Sequence, residues 1–402
     1  MAKRFQTLYK FLLFNGLRFL SFFAPKNPHI WVFGEFYGRS FSGNPKYFFM
    51  YLLRYSKGAL RPIWLSSNDV VIDEVQHLGG EAYRINSLKA LYFGLRAKVY
   101  VYSHGVEDVG NYAVRKAVLI NLWHGMPIKD IRKFERLKSE NISLLRQKKI
   151  RFIQRLIKYE EKGNYDLIIS TSDLTAKTFE SAFLKRPKKI VITGEPKNDL
   201  FFLRSRNEIL QSYGLHKWVE KTIITYMPTF RDKRLPKPSQ IAFWENLTLP
   251  KNDTVLLLHW HPSDPLRKVF SVVKTPFVQI ANNLSLDVQE LLLISDILVT
   301  DYSSCFIDFL LLDRPVVFFA YDLEDYRKYR GFLYEYEQIS PGAITHSKEE
   351  TARVIEMYAA NPQLDFNKRQ KKKKMFHKYQ KGPFSPNVLR EITLCLATKD
   401  RG

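Results

Sequence analysis

The sequence predicts an α/β protein with parallel sheets and crossover helices, arranged as two domains. Three observations lead there. Short β-branched runs recur along the chain, segments of helical periodicity separate them, and 402 residues exceed what one ordinary core serves. The first strand is Ile30-Trp-Val-Phe-Gly34, an apolar run closed by glycine. A helix follows over Asn44 to Tyr55, behind a Gly/Ser-rich turn, and Pro62 to Leu65 is the second strand. Ser87 to Leu95 reads as a helix, Ala97 to Tyr102 as a strand, and Ala117 to Trp123 as another buried strand. The series continues with Leu167–Ser170, Ile190–Ile192, Thr222–Tyr226, Thr254–His259, Ile297–Thr300 and Val316–Phe319. The charged stretch Lys133 to Lys162 reads as an exposed helical hairpin, and Phe201 to Lys221 as the link between two αβ halves.

Composition narrows the function. With 45% hydrophobic and 26% charged residues, the chain is neither disordered nor a small disulfide scaffold. The net charge of +23 calls for an anionic partner: nucleic acid, phospholipid or a phosphorylated substrate. Cys305 and Cys395 are too few for a thiolate metal site or a disulfide framework, which suits a reducing compartment. In residues 1–26, Asn15 and Arg18 interrupt the apolar run, while Lys3, Arg4, Lys10 and Arg18 alternate with Phe and Leu. That pattern predicts a basic amphipathic helix at an anionic membrane surface rather than a spanning or secretory segment. A helix docked on its own domain is the other reading. The block Lys368-Arg-Gln-Lys-Lys-Lys-Lys374 is either a solvated helix face or a polyanion contact. Zinc-finger spacing, a helix-turn-helix signal and an RNP-type strand are all missing from the sequence, so no nucleic-acid partner is expected.

Three constellations carry chemistry. In Thr300-Asp-Tyr-Ser-Ser-Cys-Phe-Ile-Asp308 a strand ends at Thr300, Asp301 and Tyr302 turn, and Ser303 and Ser304 open a helix. Free N–H groups and small hydroxyls at a helix start suit a phosphate, although an ordinary N-cap has the same sequence. Asp308, on the same helix face as Ser304, suits a substrate hydroxyl. In Trp123-His-Gly-Met-Pro-Ile-Lys129, His124 follows a buried strand. Open α/β sheets bind ligands at such strand ends, and a neutral imidazole there can accept a hydroxyl proton. A hydrogen-bonded core histidine is the competing reading. In Leu258-His-Trp-His-Pro262, His259 and His261 share a strand face, but no nearby Cys, Asp or Glu makes a persuasive third ligand, so recognition of charged oxygen is preferred over a metal. Met227-Pro-Thr-Phe-Arg-Asp232 and Gly194-Glu-Pro-Lys-Asn-Asp199 each set a turn-forming proline beside a cation after a strand, as phosphate-facing loops do.

Taken in order, these motifs resemble the CDP-glycerol glycerophosphotransferase family, the polymerases and primases of teichoic acid and some capsules. The likeness runs from about Val32 to Gly342. It is most specific over Leu293 to Asp308 and onward to Pro315, Tyr321-Asp-Leu323 and Tyr329-Arg-Gly-Phe332. The chain departs from the family pattern at Gly43 before Asn44-Pro45, at Glu195 and Lys197, and at His259 where Arg is frequent.

The resemblance implies a GT-B fold, two Rossmann-like domains facing across a cleft. Residues 27–205 would form the acceptor domain, 206–375 the CDP-donor domain and 376–402 a tail. It further implies that His124 is the general base. His261 would bind the donor phosphates and aid the leaving group, Ser303 and Ser304 would hold those phosphates, and Asp308 would meet the polyol. Pro228 and Thr229 would lie by the cytidine, and Lys197 and His259 would line the donor side. Trp123, Gly125, Met126, Pro127, Arg231, Trp260, Thr300 and Asp301 complete the expected donor set. With no Asp-x-Asp triplet in the chain, neither metal nor cofactor is expected. The expected reaction moves glycerol phosphate, or ribitol phosphate, from CDP-glycerol or CDP-ribitol to a hydroxyl of a prenyl-lipid-linked or growing polymer. CMP is released at the cytoplasmic face of the membrane. A sugar transferase using a nucleotide-sugar donor is the alternative enzyme, and a basic nucleic-acid-binding protein the non-enzymatic one.

Overall fold

The structure is a computed structural model, and it describes residues 23–110, 116–130, 165–182, 187–231, 236–261, 264–270 and 277–399. The amphipathic segment expected before Phe23 and the hairpin expected between Lys133 and Lys162 lie outside these residues. Among the described residues no helix is long and apolar enough to cross a membrane.

The chain divides into two compact units. The first carries a seven-stranded parallel sheet of β1 (Asn27–Phe33), β2 (Arg61–Ser66), β3 (Glu81–Arg84), β4 (Ala97–Tyr102), β5 (Val118–Asn121), β6 (Leu167–Ser170) and β7 (Ile190–Ile192), in the order β3-β2-β1-β4-β5-β6-β7. Phe33 is in register with Trp64 on one side and Val101 on the other. The second unit carries β8 (Thr222–Met227), β9 (Thr254–Leu258), β10 (Val278–Ile280), β11 (Ile297–Thr300), β12 (Val316–Phe319) and β13 (Ala343–Thr345), in the order β10-β9-β8-β11-β12-β13. Each sheet therefore reverses its winding once, at β1/β4 and at β8/β11, and such a reversal opens a crevice at the carboxyl ends of the strands. Strands β3, β10 and β13 are not legible in the sequence: they are three or four residues long and lack a clear apolar run.

The helices form where local chemistry favours them. Ser87 and Asn68 cap theirs by accepting from Ala90 and Val70 N–H, and Ser205/Glu208 and Asp287/Glu290 close reciprocal capping boxes. The helix Gly43–Tyr55 takes Pro45 in its first turn, where no amide is needed, and buries Phe48, Phe49 and Leu52. Its aromatic rings join Trp31, Phe33, Phe41 and Trp64 in the first core. The second core centres on Tyr226, Phe243, Trp260 and Phe319.

The division of the chain differs from the sequence expectation in three ways. The boundary falls at Asp199/Leu200 rather than at residue 205, and Gly125 to Asp130 belong to the second unit. The residues after 382 are no separate tail. The helix Ser385–Lys399 lies in the first unit, where Val388, Ile392 and Cys395, spaced by four and three, enter the core beside Leu167, Ile169 and Val191. Its start is anchored on Asp199, whose carboxylate accepts from Phe384 N, Ser385 N and Ser385 Oγ. Gly194, at a φ of +79°, leaves room for the Phe384 ring. The Lys368–Lys374 block forms part of the helix Phe366–Phe376, and three of its lysines donate to carbonyls of the second unit: Lys368 to Gly342, Lys372 to Gln338 and Lys373 to Leu311.

Candidate active site

In the first unit the strand ends gather polar groups around His124. Gly34 follows β1, and a Cβ there would stand 2.1 Å from the Asp108 carbonyl, so only glycine lets this turn close. That approach brings Glu35 to the loop after β4. Asp108, wholly buried, ties the two loops together: Oδ1 accepts from Tyr37 N after β1 at 2.7 Å, and Oδ2 from Ser103 N at 3.1 Å and His104 N at 2.8 Å after β4. His104 Nδ1 then lies 2.7 Å from Ser103 Oγ, 3.7 Å from Glu35 Oε1 and 3.8 Å from Asp108 Oδ2. Burial, with the Asp108 charge added, holds the Glu35 carboxyl well above the usual carboxylate range. Glu35, His104 and Asp108 form a cluster with cation-ligand atoms within reach of one another, but the Asp108 oxygens already serve three amides.

His124 is exposed just beyond β5, as its place after the strand suggested. Its ring stacks on His104 at 4.1 Å between centroids and 4° between planes, and on Trp123 at 4.7 Å. Trp123 adopts a φ of 53°, a left-handed conformation uncommon for an aromatic residue, and Asn121 Oδ1 steadies it by accepting Trp123 N at 2.7 Å. His124 Nδ1 is 3.5 Å from the Ser103 carbonyl; a proton there leaves Nε2 as the basic nitrogen. Asn44, fully buried, braces the loop from behind. Its Nδ2 donates to Leu122 O at 2.8 Å, Trp123 O at 3.0 Å and Glu195 Oε1 at 3.0 Å, and its Oδ1 accepts Lys197 N at 3.1 Å. Lys197, expected on the donor side, is buried in this unit with Nζ 3.5 Å from Glu195. Sequence reasoning missed Glu35, His104 and Asn44 as parts of this site. A signal for His104 was present: His104-Gly105 after β4 repeats the His124-Gly125 pattern after β5.

The second unit gathers a separate set at the β8/β11 reversal. Several residues expected to touch the donor instead hold these loops. Arg231 donates to Asp301 Oδ2 at 2.7 Å, to both oxygens of Asp322 at 3.0 and 2.9 Å and to Thr229 O at 2.5 Å, beneath the rings of Tyr302, Tyr321 and Tyr326. Burial opposes its charge, and the two carboxylates more than offset that, raising its pKa well above the ordinary value. Asp301, wholly buried, gives its other oxygen to Thr229 N and Tyr302 N. Thr300 Oγ1 donates to Met227 O at 2.7 Å, tying β11 to β8. Trp260 is a core side chain, 5.2 Å from Phe270 and parallel to it. A guanidinium that satisfies two carboxylates has little left for a phosphate.

Pro228, Thr229, Ser303 and Ser304 are half-buried around this framework, and Asp308 is buried. Ser304 stands at the N-cap without a side-chain cap bond, and Ser303 Oγ is 3.4 Å from Cys305 N. The helix they open is shorter than expected, running only from Cys305 to Phe309 before tightening to a 3-10 turn that ends at Asp313 in the left-handed region. So short a helix adds little dipole, which leaves the hydroxyls as the main donors. His259 and His261 lie past the end of β9 rather than within it. Burial, with His261 nearby, pushes His259 down to about 4, and its buried Nδ1 has no hydrogen-bond partner. His261 is also lowered by burial, with Lys129 adding to the effect and Asp264 opposing it. Met126 and Pro127 are buried in this unit, and Gly125 takes a φ of 129° where the chain enters it.

Two parallel sheets of Rossmann strand order, with histidines and hydroxyls at their carboxyl ends, define the doubly wound α/β class, whose ligands bind at those strand ends. The model of the CDP-Glycerol:Poly(glycerophosphate) glycerophosphotransferase family matches residues 17–394. The chain belongs to this family and is a polyol-phosphate transferase of that kind. It is 30% identical over 349 residues to a teichoic acid poly(glycerol phosphate) polymerase of Bacillus spizizenii, covering 82% of this chain and 84% of that one. It is 29% identical over 337 residues to a teichoic acid glycerol-phosphate transferase of Staphylococcus aureus, with 80% and 82% covered. It is 34% identical over 193 residues to a ribitol-phosphate primase of Bacillus spizizenii, with 46% and 48% covered. Among solved structures it resembles a variant of the wall teichoic acid polymerase TagF soaked with CDPG, at a TM-score of 0.74 and 25% identity, covering 100% of this chain and 97% of that one. A Staphylococcus aureus MnaA–UDP structure shares the fold at a TM-score of 0.54 and 13% identity, with 92% and 97% covered.

Proposed function

We propose that this chain transfers glycerol phosphate from CDP-glycerol, with CDP-ribitol as second choice, to a hydroxyl of a prenyl-lipid-linked or growing teichoic-acid- or capsule-type polymer. The acceptor oxygen attacks the phosphorus bearing the polyol, and its proton passes to His124. The P–O bond to CMP breaks, and CMP leaves with the bonding electrons. The observation that carries this reading is the setting of His124: an exposed imidazole stacked between His104 and Trp123, its Nδ1 turned to a backbone carbonyl, in a chain of this family. A base so oriented removes the acceptor proton as the new bond forms.

The donor is assigned to the second unit. Ser303 and Ser304 supply hydroxyls to its phosphates, Pro228 and Thr229 flank the cytidine, and Asp308 receives the polyol. His261, biased neutral, donates a hydrogen bond to the leaving phosphate rather than a charge. Phosphoryl transfer asks chiefly for in-line positioning and stabilisation of such charge, which these groups offer without a metal. The basic, Phe/Leu-rich residues before Lys26 support assigning the enzyme to the anionic inner face of the membrane. Incubation with CDP-glycerol, CDP-ribitol and UDP-sugars and a polymer acceptor tests the reading. Release of CMP is expected, and release of UDP alone would replace it with a sugar transferase.

A further inference from the structure

Lys129 is the last residue of the His-Gly-Met-Pro-Ile-Lys run, five positions after His124, yet it lies in the second unit. Two backbone hydrogen bonds fix it there. Leu333 N donates to Ile128 O at 2.9 Å and Asp130 N to Gly331 O at 3.2 Å, which makes an antiparallel bridge of Lys129 with Phe332. Phe332 in turn packs on Tyr302, at 5.7 Å between rings, and Tyr302 leads directly into Ser303 and Ser304. The ionisable groups near the Lys129 ammonium are Asp301, Arg330, Arg231 and Cys305, and it also acts on His261. The segment thus carries a primary amine to the strand ends where the donor is assigned.

The neighbouring charges are already engaged. Asp301 spends its oxygens on Thr229 N, Tyr302 N and Arg231, and Arg231 is shared between Asp301 and Asp322. Among the described residues, Lys129 makes no hydrogen bond or ion pair. The residue is half-buried, and burial pulls its pKa down to about 8. A cation that bonds no carboxylate beside these strand ends keeps its three donors for a ligand.

We propose that Lys129 is the cation that binds the donor's diphosphate. This rests on the reading that the second unit holds a CDP donor. Lysine suits the task as a compact point charge with three donors, and Arg231, the cation that the sequence pattern suggested, is excluded by its two carboxylates. The ammonium is charged below about pH 8 and lost above it, so affinity for a diphosphate falls as pH rises through that value.

Isothermal titration of the full chain with CDP and with CMP, at pH 7 and pH 9, tests this in wild type, Lys129→Met and Lys129→Arg. Lys129→Met is expected to weaken CDP binding at pH 7 by about tenfold or more, the usual loss for a charge-assisted contact, and to weaken CMP less. Lys129→Arg should hold CDP within about threefold at pH 7 and bind equally at pH 9, while wild type weakens there. The melting temperature of Lys129→Met at pH 7 should stay at the wild-type value, because the ammonium bonds no group of the fold. Wild-type affinity for CDP in Lys129→Met refutes the proposal, as does an equal loss for CDP and CMP with a lowered melting temperature, the mark of a structural role. Wild type releasing CMP from CDP-glycerol while Lys129→Met binds normally would overturn only this assignment. Failure of wild type to bind CDP at all removes both it and the donor reading.

Discussion

Substituting Asn44 by Asp changes one heavy atom in a fully buried side chain and turns a donor into an acceptor. In wild type Nδ2 donates to Leu122 O, Trp123 O and Glu195 Oε1, all within 3.0 Å. In the variant an oxygen would face two carbonyls and a carboxylate, and Lys197 N would keep its acceptor. Nδ2 has two hydrogens, one of them shared between two acceptors, so two donations at about 1 kcal/mol net each set a floor of about 2 kcal/mol, and burying a new carboxyl adds to it. Because these bonds hold the two residues before His124, the ring should lose its place as well. A displacement of about 1 Å at a reacting group costs on the order of a hundredfold in rate. Hydrogen exchange read by mass spectrometry separates the effects by region. Amides of β5 and β7 should open more easily by about 2 kcal/mol or more, with β8 and β11 unchanged as an internal control. CMP release should fall by about a hundredfold. Unchanged protection of β5 together with normal turnover would refute the view that Asn44 braces the His124 loop.

The same geometry sets further outcomes. His124→Ala should lower turnover by at least about a hundredfold with the melting curve preserved, and near-normal CMP release would remove it as the base. His104→Ala takes away the ring stacked beneath His124; kcat should fall by about tenfold with the donor KM unchanged, whereas a merely structural His104 would change the melting temperature and not kcat. Arg231→Lys cannot span Asp301 and Asp322, and leaving a buried carboxylate unpaired should destabilise the second unit by about 3 kcal/mol in urea unfolding. Burial lifts Asp199 from 3.8 to about 6, against the pull of its Ser385 and Phe384 partners. Its folded pKa exceeds the unfolded one, so stability present below about pH 4 is lost as pH rises through about 6. Asp199→Asn should therefore gain on wild type by roughly 3 kcal/mol across that window, and a constant difference would show that the carboxyl does not titrate there.

Val32, Ile63, Val99 and Ile120 lie in short apolar runs bounded by turn residues, and such runs can hardly be anything but buried parallel strands. That is why both sheets are legible in the order of residues. His124 and Ser303 stand out for a related reason: each closely follows such a run, and the end of a strand is defined locally. The bracing role of Arg231, Thr300 and Asp301 is not legible in sequence, because a phosphate-binding loop and a loop-bracing ion pair use the same residue types. Only the distances of 2.7 to 3.0 Å from Arg231 to Asp301 and Asp322 distinguish them.

The sequence by itself determined the fold class, the strand ends that carry chemistry and the family, because these depend on periodicity and short-range order along the chain. Tertiary structure alone decided that Asn44 braces the loop of His124, that His104 lies under its ring, and that the final helix returns to the first unit. It also decided that Lys129 parts company with His124 five residues earlier. Partners separated by scores of residues are chosen by packing and by the need to satisfy buried polar groups, and neither leaves a local trace in sequence.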